Sequence, residues 1–241
     1  MAIKVKGYNH YFGGKSSPGT YQTLINLIPP HKIYFSLFLG NCGVTRHMKL
    51  ADLVFLNDKD EQLINAWKQS VPIGGTTGFN FTVGNGIEFL ETIILGGYDQ
   101  PETFIFLDPP YKLTSRKDKR PVYKFELTPE EHTRLLQACK RLQYAKIMIM
   151  HYPEEEYNFQ LADWNKFEFY SQTRNGLALE CAYYNYDLVP GELHDLTFIG
   201  EDFRQRERFN RIKKNFIRKL NQLEPELRNA ILREIQAGAS Q

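Results

Sequence analysis

Four consecutive residues, Asp108-Pro109-Pro110-Tyr111, carry the clearest chemical signal in the chain. Two adjacent prolines stiffen the backbone and remove two N–H donors. What remains is an acceptor-rich edge made by the Asp108 carboxylate and the Pro109 carbonyl. An exocyclic amine, such as N6 of adenine, offers two N–H donors. Accepting both shifts electron density onto the nitrogen and exposes a lone pair able to attack an electrophilic carbon in line. Tyr111 adds a flat face on which an extruded base can stack.

Such a loop works only if rigid elements hold it. Asp108 directly follows the apolar run Thr103–Leu107, which places the motif at the carboxyl end of a strand, where open α/β sheets bind their ligands. Further runs at Ile33–Phe38, Leu53–Leu56, Ala145–Met150, Phe167–Tyr170 and Cys181–Leu188 also read as strands. Helical patterns alternate with them over Gly19–Ile28, Glu61–Gln69, Ile87–Leu95, Thr128–Leu142 and Glu154–Asp163. Thr128-Pro-Glu-Glu131 predicts an N-cap, a proline in the first turn and a capping-box glutamate. The Gly/Thr cluster from Gly74 to Gly78 reads as an exposed turn. The expectation is an α/β domain with a mostly parallel sheet covered on both faces. After about Gly191 the pattern changes to two helices. Phe209, Ile212, Phe216, Leu220 and Leu223 form an apolar stripe, and Arg204, Arg208, Arg211, Lys214 and Arg218 lie largely off it. Pro225 starts the second helix.

The 241 residues carry a net charge of only +2, so average charge says little about partners. Cys42, Cys139 and Cys181 form no CxxC pair and no even set, which suggests a reducing cytoplasm. The histidines show no metal-ligand spacing, so no metal is expected. No apolar run approaches the roughly 20 residues that span a bilayer, and no membrane association is expected.

A strand followed by Asp108–Tyr111 resembles the signature of the Dam-type, alpha-order DNA adenine-N6 methyltransferases of the small phage-like and bacterial branch. The order of elements is similar too. Tyr11-Phe12-Gly13-Gly14-Lys15 resembles the family's opening segment, Phe38-Leu39-Gly40-Asn41-Cys42-Gly43 its cofactor loop, and Asn57-Asp58 the acid that holds a ribose. Arg116, Tyr123, His132 and Asn185 also resemble that branch. The resemblance implies a Rossmann-like, seven-stranded mixed sheet with S-adenosylmethionine as cofactor. A catalytic domain would span 1–190, with a reduced target-recognition insert at about 64–100, and a basic helical hairpin would occupy 191–241. Tyr11, Gly14, Lys15, Phe38, Gly40, Asp58 and Asp108 are the expected cofactor contacts. Asp108, Pro109, Pro110 and Tyr111 are the expected catalytic set, acting on double-stranded DNA. Lys112, Arg116, Lys117, Lys119, Arg120 and Arg174 would grip phosphates.

Three positions depart from the family pattern. Ser36 stands where an acid is usual, Cys42 replaces the loop's second glycine, and Gly86 stands where Asp is usual. These positions normally touch the cofactor, so the pattern predicts weakened binding and keeps a catalytically silent DNA-binding relative or partner subunit as an alternative. A companion restriction enzyme is also left open.

Overall fold

The computed structural model describes residues 3–5, 13–71, 76–173 and 176–238. Tyr11, Arg174 and part of the Gly74–Gly78 cluster lie outside the described residues. The chain forms two compact units, Met1–Leu196 and Thr197–Gln241.

The first unit is built on seven strands: β1 (Ile33–Ser36), β2 (Leu53–Asp58), β3 (Gly78–Val83), β4 (Thr103–Leu107), β5 (Lys146–His151), β6 (Asn165–Thr173) and β7 (Gly176–Tyr184). Their spatial order is β3-β2-β1-β4-β5-β7-β6. The strands from β3 to β5 pair in parallel, and β7 runs antiparallel to both β5 and β6. This is the seven-stranded mixed sheet expected of the S-adenosylmethionine-dependent methyltransferases. Among the described residues, six α-helices belong to it: α1 (Thr20–Ile25), α2 (Gly43–His47), α3 (Glu61–Lys68), α4 (Gly86–Thr92), α5 (Pro129–Arg141) and α6 (Glu155–Gln160).

Every residue of β4 is buried, because this central strand is covered on both faces. Phe35, Ile105, Leu107, Ile147 and Ile149 pack in one core with Ile87 and Leu90 of α4, Leu135, Leu136 and Cys139 of α5, and Tyr157 of α6. The alternate positions Tyr34, Phe104, Phe106, Met148 and Met150 are buried as well. The α5 start is the predicted one: Thr128 and Glu131 complete a capping box around Pro129.

Three features differ from the sequence expectation. Gly78 opens β3, an edge strand whose Phe79 and Phe81 alternate with polar residues. The stretch 64–100, expected to be a reduced recognition insert, instead holds the end of α3, all of β3 and all of α4, which are parts of the catalytic scaffold. Residues 191–196 fall within the first unit: the His194 amide donates to the Ile28 carbonyl, its ring stacks on His31 with centroids 3.7 Å apart, and Asp195 accepts from the Lys49 amide.

The second unit contains α7 (Phe203–Asn221), N-capped by Asp202, and α8 (Pro225–Gly238). Neither helix has a buried residue. Phe209, Leu220, Leu223 and Ile231 are half-buried, while Ile212 and Phe216 are exposed. No helix among the described residues is long and apolar enough to cross a membrane.

Candidate active site

β1 pairs with β2 on one side and β4 on the other, so the chain reverses its winding direction at β1. A crevice opens outside the carboxyl ends of the strands at such a switch point. Leu37–Gly40 leaves β1, Asp58 ends β2, and Asp108 follows β4. All of them line one groove of about 690 Å³.

The loop after β1 is fixed by side chains from behind. The Gly40 amide donates to Asp58 Oδ2 at 2.8 Å, and the Trp67 indole N–H donates to the Gly40 carbonyl at 2.9 Å. Gly40 has φ +48°, in the left-handed region where glycine carries no Cβ penalty. Asn57 Nδ2 donates to the carbonyls of Leu37 and Gly84, and so ties together two loops that line the groove. Asp58 also accepts the Asp60 amide on Oδ1 at 2.9 Å. Burial raises the Asp58 pKa, opposed by the amides of Gly40 and Asp60.

The three departures from the family pattern have structural explanations. Ser36 is fully buried in β1 and does not line the groove. Cys42 is turned into the core, where its sulfur caps α2 by accepting the Thr45 amide. Gly86 lines the groove, but a Cβ there would lie 2.4 Å from the Leu37 carbonyl oxygen. There is no room for the aspartate usual in the family.

Lys15 reaches the Asp108–Tyr111 loop through a tight crossing. The Gly43 amide donates to the Gly14 carbonyl, and a Cβ on Gly43 would sit 2.5 Å from the Lys15 carbonyl. Lys15 itself has φ +51°. Its ammonium lies 2.8 Å from Asp108 Oδ1 and 3.4 Å from Glu180 Oε2, and it donates to the Gly13 carbonyl at 3.2 Å. It also stands 4.8 Å above the Tyr111 ring centroid. Burial opposes the charged ammonium, but Asp108 and Glu180 outweigh it and raise the Lys15 pKa. Burial pushes Asp108 up to about 6, against the pull of Lys15.

Tyr111 is only 6% exposed, and its hydroxyl donates to Glu180 Oε2 at 2.7 Å. Its ring meets Tyr152 edge-on. A second, larger cleft is lined by Tyr111, Tyr123, Tyr152, Ser171, Leu177 and Glu180, among others. It shares Gly13, Gly14 and Tyr123 with the groove.

The basic loop after the motif divides into two groups. Lys112 is turned toward α6, with its ammonium on Glu156 and near Glu154, and its amide donates to His151 Nε2. Arg116 is 7% exposed, paired with Glu126 at 2.5 Å, bonded to the Tyr111 carbonyl and seated over Tyr123. Both are paired with carboxylates of the fold, which disfavours the expectation that they grip phosphates. Lys117, Lys119 and Arg120 are exposed, with Arg120 paired to Asp118. Glu126, Trp67 and Glu180 were not anticipated from sequence, nor was the tie that Asn57 makes between two loops. Among the described residues no cluster of His, Cys, Asp or Glu could hold a metal ion.

Residues 85–175, which include Asp108–Tyr111, match the family model described as D12 class N6 adenine-specific DNA methyltransferase. That segment is similar to the class, and the chain is an S-adenosylmethionine-dependent methyltransferase. This methyltransferase uses S-adenosylmethionine as its cofactor. The groove fits that cofactor: Asp58 suits ribose hydroxyls, and Phe38, Phe125 and Leu127 offer apolar walls. Solved structures are similar at low identity. A SAM-dependent methyltransferase from Agrobacterium tumefaciens is 11% identical, with a TM-score of 0.45, over 68% of this chain and 59% of that one. An rRNA methylase from Streptococcus thermophilus is 13% identical, with a TM-score of 0.44, over 69% and 94%. SMU.1697c of Streptococcus mutans, solved in complex with SAH, is 12% identical, with a TM-score of 0.42, over 68% and 94%. No curated protein matches the chain.

Proposed function

We propose that this methyltransferase modifies N6 of an adenine flipped out of duplex DNA, by direct in-line displacement. One observation carries the reading: Asp108 and Asp58 line one groove, beside a cleft lined by three tyrosines. Asp108 and the Pro109 carbonyl accept the two N6 protons and aim the nitrogen. The cleft receives the extruded base. Tyr111 shapes the floor of that cleft, since most of its surface is already covered. Gly14, Phe38, Gly40 and Asp58 hold the cofactor, which supplies an electrophilic methyl group when bound. Lys15 fixes Asp108 from the opposite side. Orientation of this kind supplies much of the rate in such transfers.

Lys117, Lys119 and Arg120 meet the backbone beside the flipped nucleotide, and the basic helix α7 offers a further phosphate-binding face. Ser36 and Cys42 are buried away from the groove, which removes the main reason for a catalytically silent reading. The test is methyl incorporation from labelled cofactor into duplex DNA, RNA and protein, followed by nucleoside analysis. N6-methyladenine in DNA is the expected product. Label confined to RNA, protein or cytosine would overturn the substrate assignment.

A further inference from the structure

Glu180 lies at the centre of β7, 4% exposed, and its carboxylate reaches the catalytic motif from the far side of the cleft. Its Oε2 accepts from the Tyr111 hydroxyl and stands 3.4 Å from Lys15 Nζ, while its Oε1 accepts from the Ser171 hydroxyl. A buried carboxylate is retained at a net gain only when its partners are this complete. We propose that Glu180 is a positioning residue for methyl transfer: it shares the Lys15 ammonium with Asp108 and so keeps Asp108 an available acceptor. The proposal rests on the adenine-N6 reading above.

The geometry explains why a second carboxylate is needed. An ammonium has three N–H donors. Those of Lys15 have three nearby acceptors: Asp108 Oδ1, the Gly13 carbonyl and Glu180 Oε2. With its donors divided in this way, Lys15 cannot turn and cover both oxygens of Asp108. One positive and two negative charges also leave the buried cluster with a net charge of −1. That sign favours the positive charge that builds on N6 as it takes the methyl group. The same carboxylate holds the Tyr111 hydroxyl, so one side chain on β7 sets the motif's last residue as well.

The groups facing this cluster are Lys15, Tyr111, Tyr123, Arg116, Tyr152 and Ser171, with Tyr34 and Cys42 beneath Asp108. Glu180 raises the Asp108 pKa and Lys15 lowers it. Removing the Glu180 charge therefore stabilises the Asp108 anion directly. It also leaves Lys15 to Asp108 alone, which acts in the same direction.

The experiment compares wild-type chain with Glu180→Gln by carboxyl-carbon NMR of Asp108 across pH, without cofactor or DNA, alongside kinetics. The expected result is an Asp108 pKa lowered by about one unit, kcat reduced roughly 10- to 100-fold, and cofactor affinity retained. An unmoved Asp108 titration together with wild-type kcat overturns the proposal. Should Glu180→Gln fail to fold, Ser171→Ala loosens the same carboxylate. A severalfold loss in kcat with unchanged cofactor affinity supports the proposal there, and wild-type kcat overturns it. The NMR readout does not depend on which substrate is methylated, so its failure is distinct from failure of the adenine reading.

Discussion

At the scale of single residues, the site is governed by how burial is balanced against partners. In the proposed role Asp108 accepts one proton of the amine while the Pro109 carbonyl accepts the other, and the ionised carboxylate is the stronger acceptor. Burial lifts its pKa to about 6, and Lys15 limits the rise. The sign follows directly: above pH 6 the acceptor form dominates in the free enzyme, and below it the neutral acid does. The kcat/KM for DNA should therefore fall tenfold per pH unit well below about pH 6, since that ratio reports groups of the free enzyme. A flat profile from about pH 5 to 8 would contradict the assignment. The Asp108–Tyr111 motif was legible in the sequence because it is contiguous. Glu180 was not, since it lies 69 residues from Tyr111 and only strand pairing brings it there. Arg116 is a related case. Sequence shows its charge but not that Glu126, ten residues on, neutralises it.

At the scale of elements, close packing constrains the glycines that open two helices. Gly86 opens α4 against the Leu37 carbonyl, and Gly43 opens α2 against the Lys15 carbonyl. Introducing the aspartate usual at position 86 should not strengthen cofactor binding. Gly86→Asp is expected to push back the Leu37–Phe38 loop, cost about 1–3 kcal/mol of stability as overpacking does, and weaken cofactor affinity. Thermal melting and calorimetry would show it; tighter binding without loss of stability would refute the account. The central strands were readable as apolar runs, and β4 matches its predicted span. β3 was hidden because an edge strand needs only Phe79 and Phe81 inward, and its first residue belongs to a glycine cluster. α2 is five residues long, too short for a helical period to register.

At the scale of the whole molecule, charge is segregated. Eight basic residues and a single acid, Glu207, occupy α7, although the chain as a whole carries only +2. Nearly all of these cations are exposed. Replacing Arg204, Arg208, Arg211 and Arg218 with Gln should weaken DNA binding without changing the chemistry of a bound duplex. The slope of log K against log salt should shrink by about 0.9 for each phosphate that α7 no longer neutralises. An unchanged slope would remove α7 from the DNA-binding surface. The composition change near Gly191 revealed this unit, but not that residues 191–196 stay with the first one through His194 and Asp195.

The most direct test of the central claim is single-turnover transfer of labelled methyl to DNA adenine by wild-type chain and by Asp108→Ala. The account predicts N6-methyladenine from the wild type. For the variant it predicts a transfer rate lower by a factor of about a thousand or more, with the melting temperature and DNA binding retained. Wild-type rates from Asp108→Ala would show that the acceptor edge is not where the amine is activated.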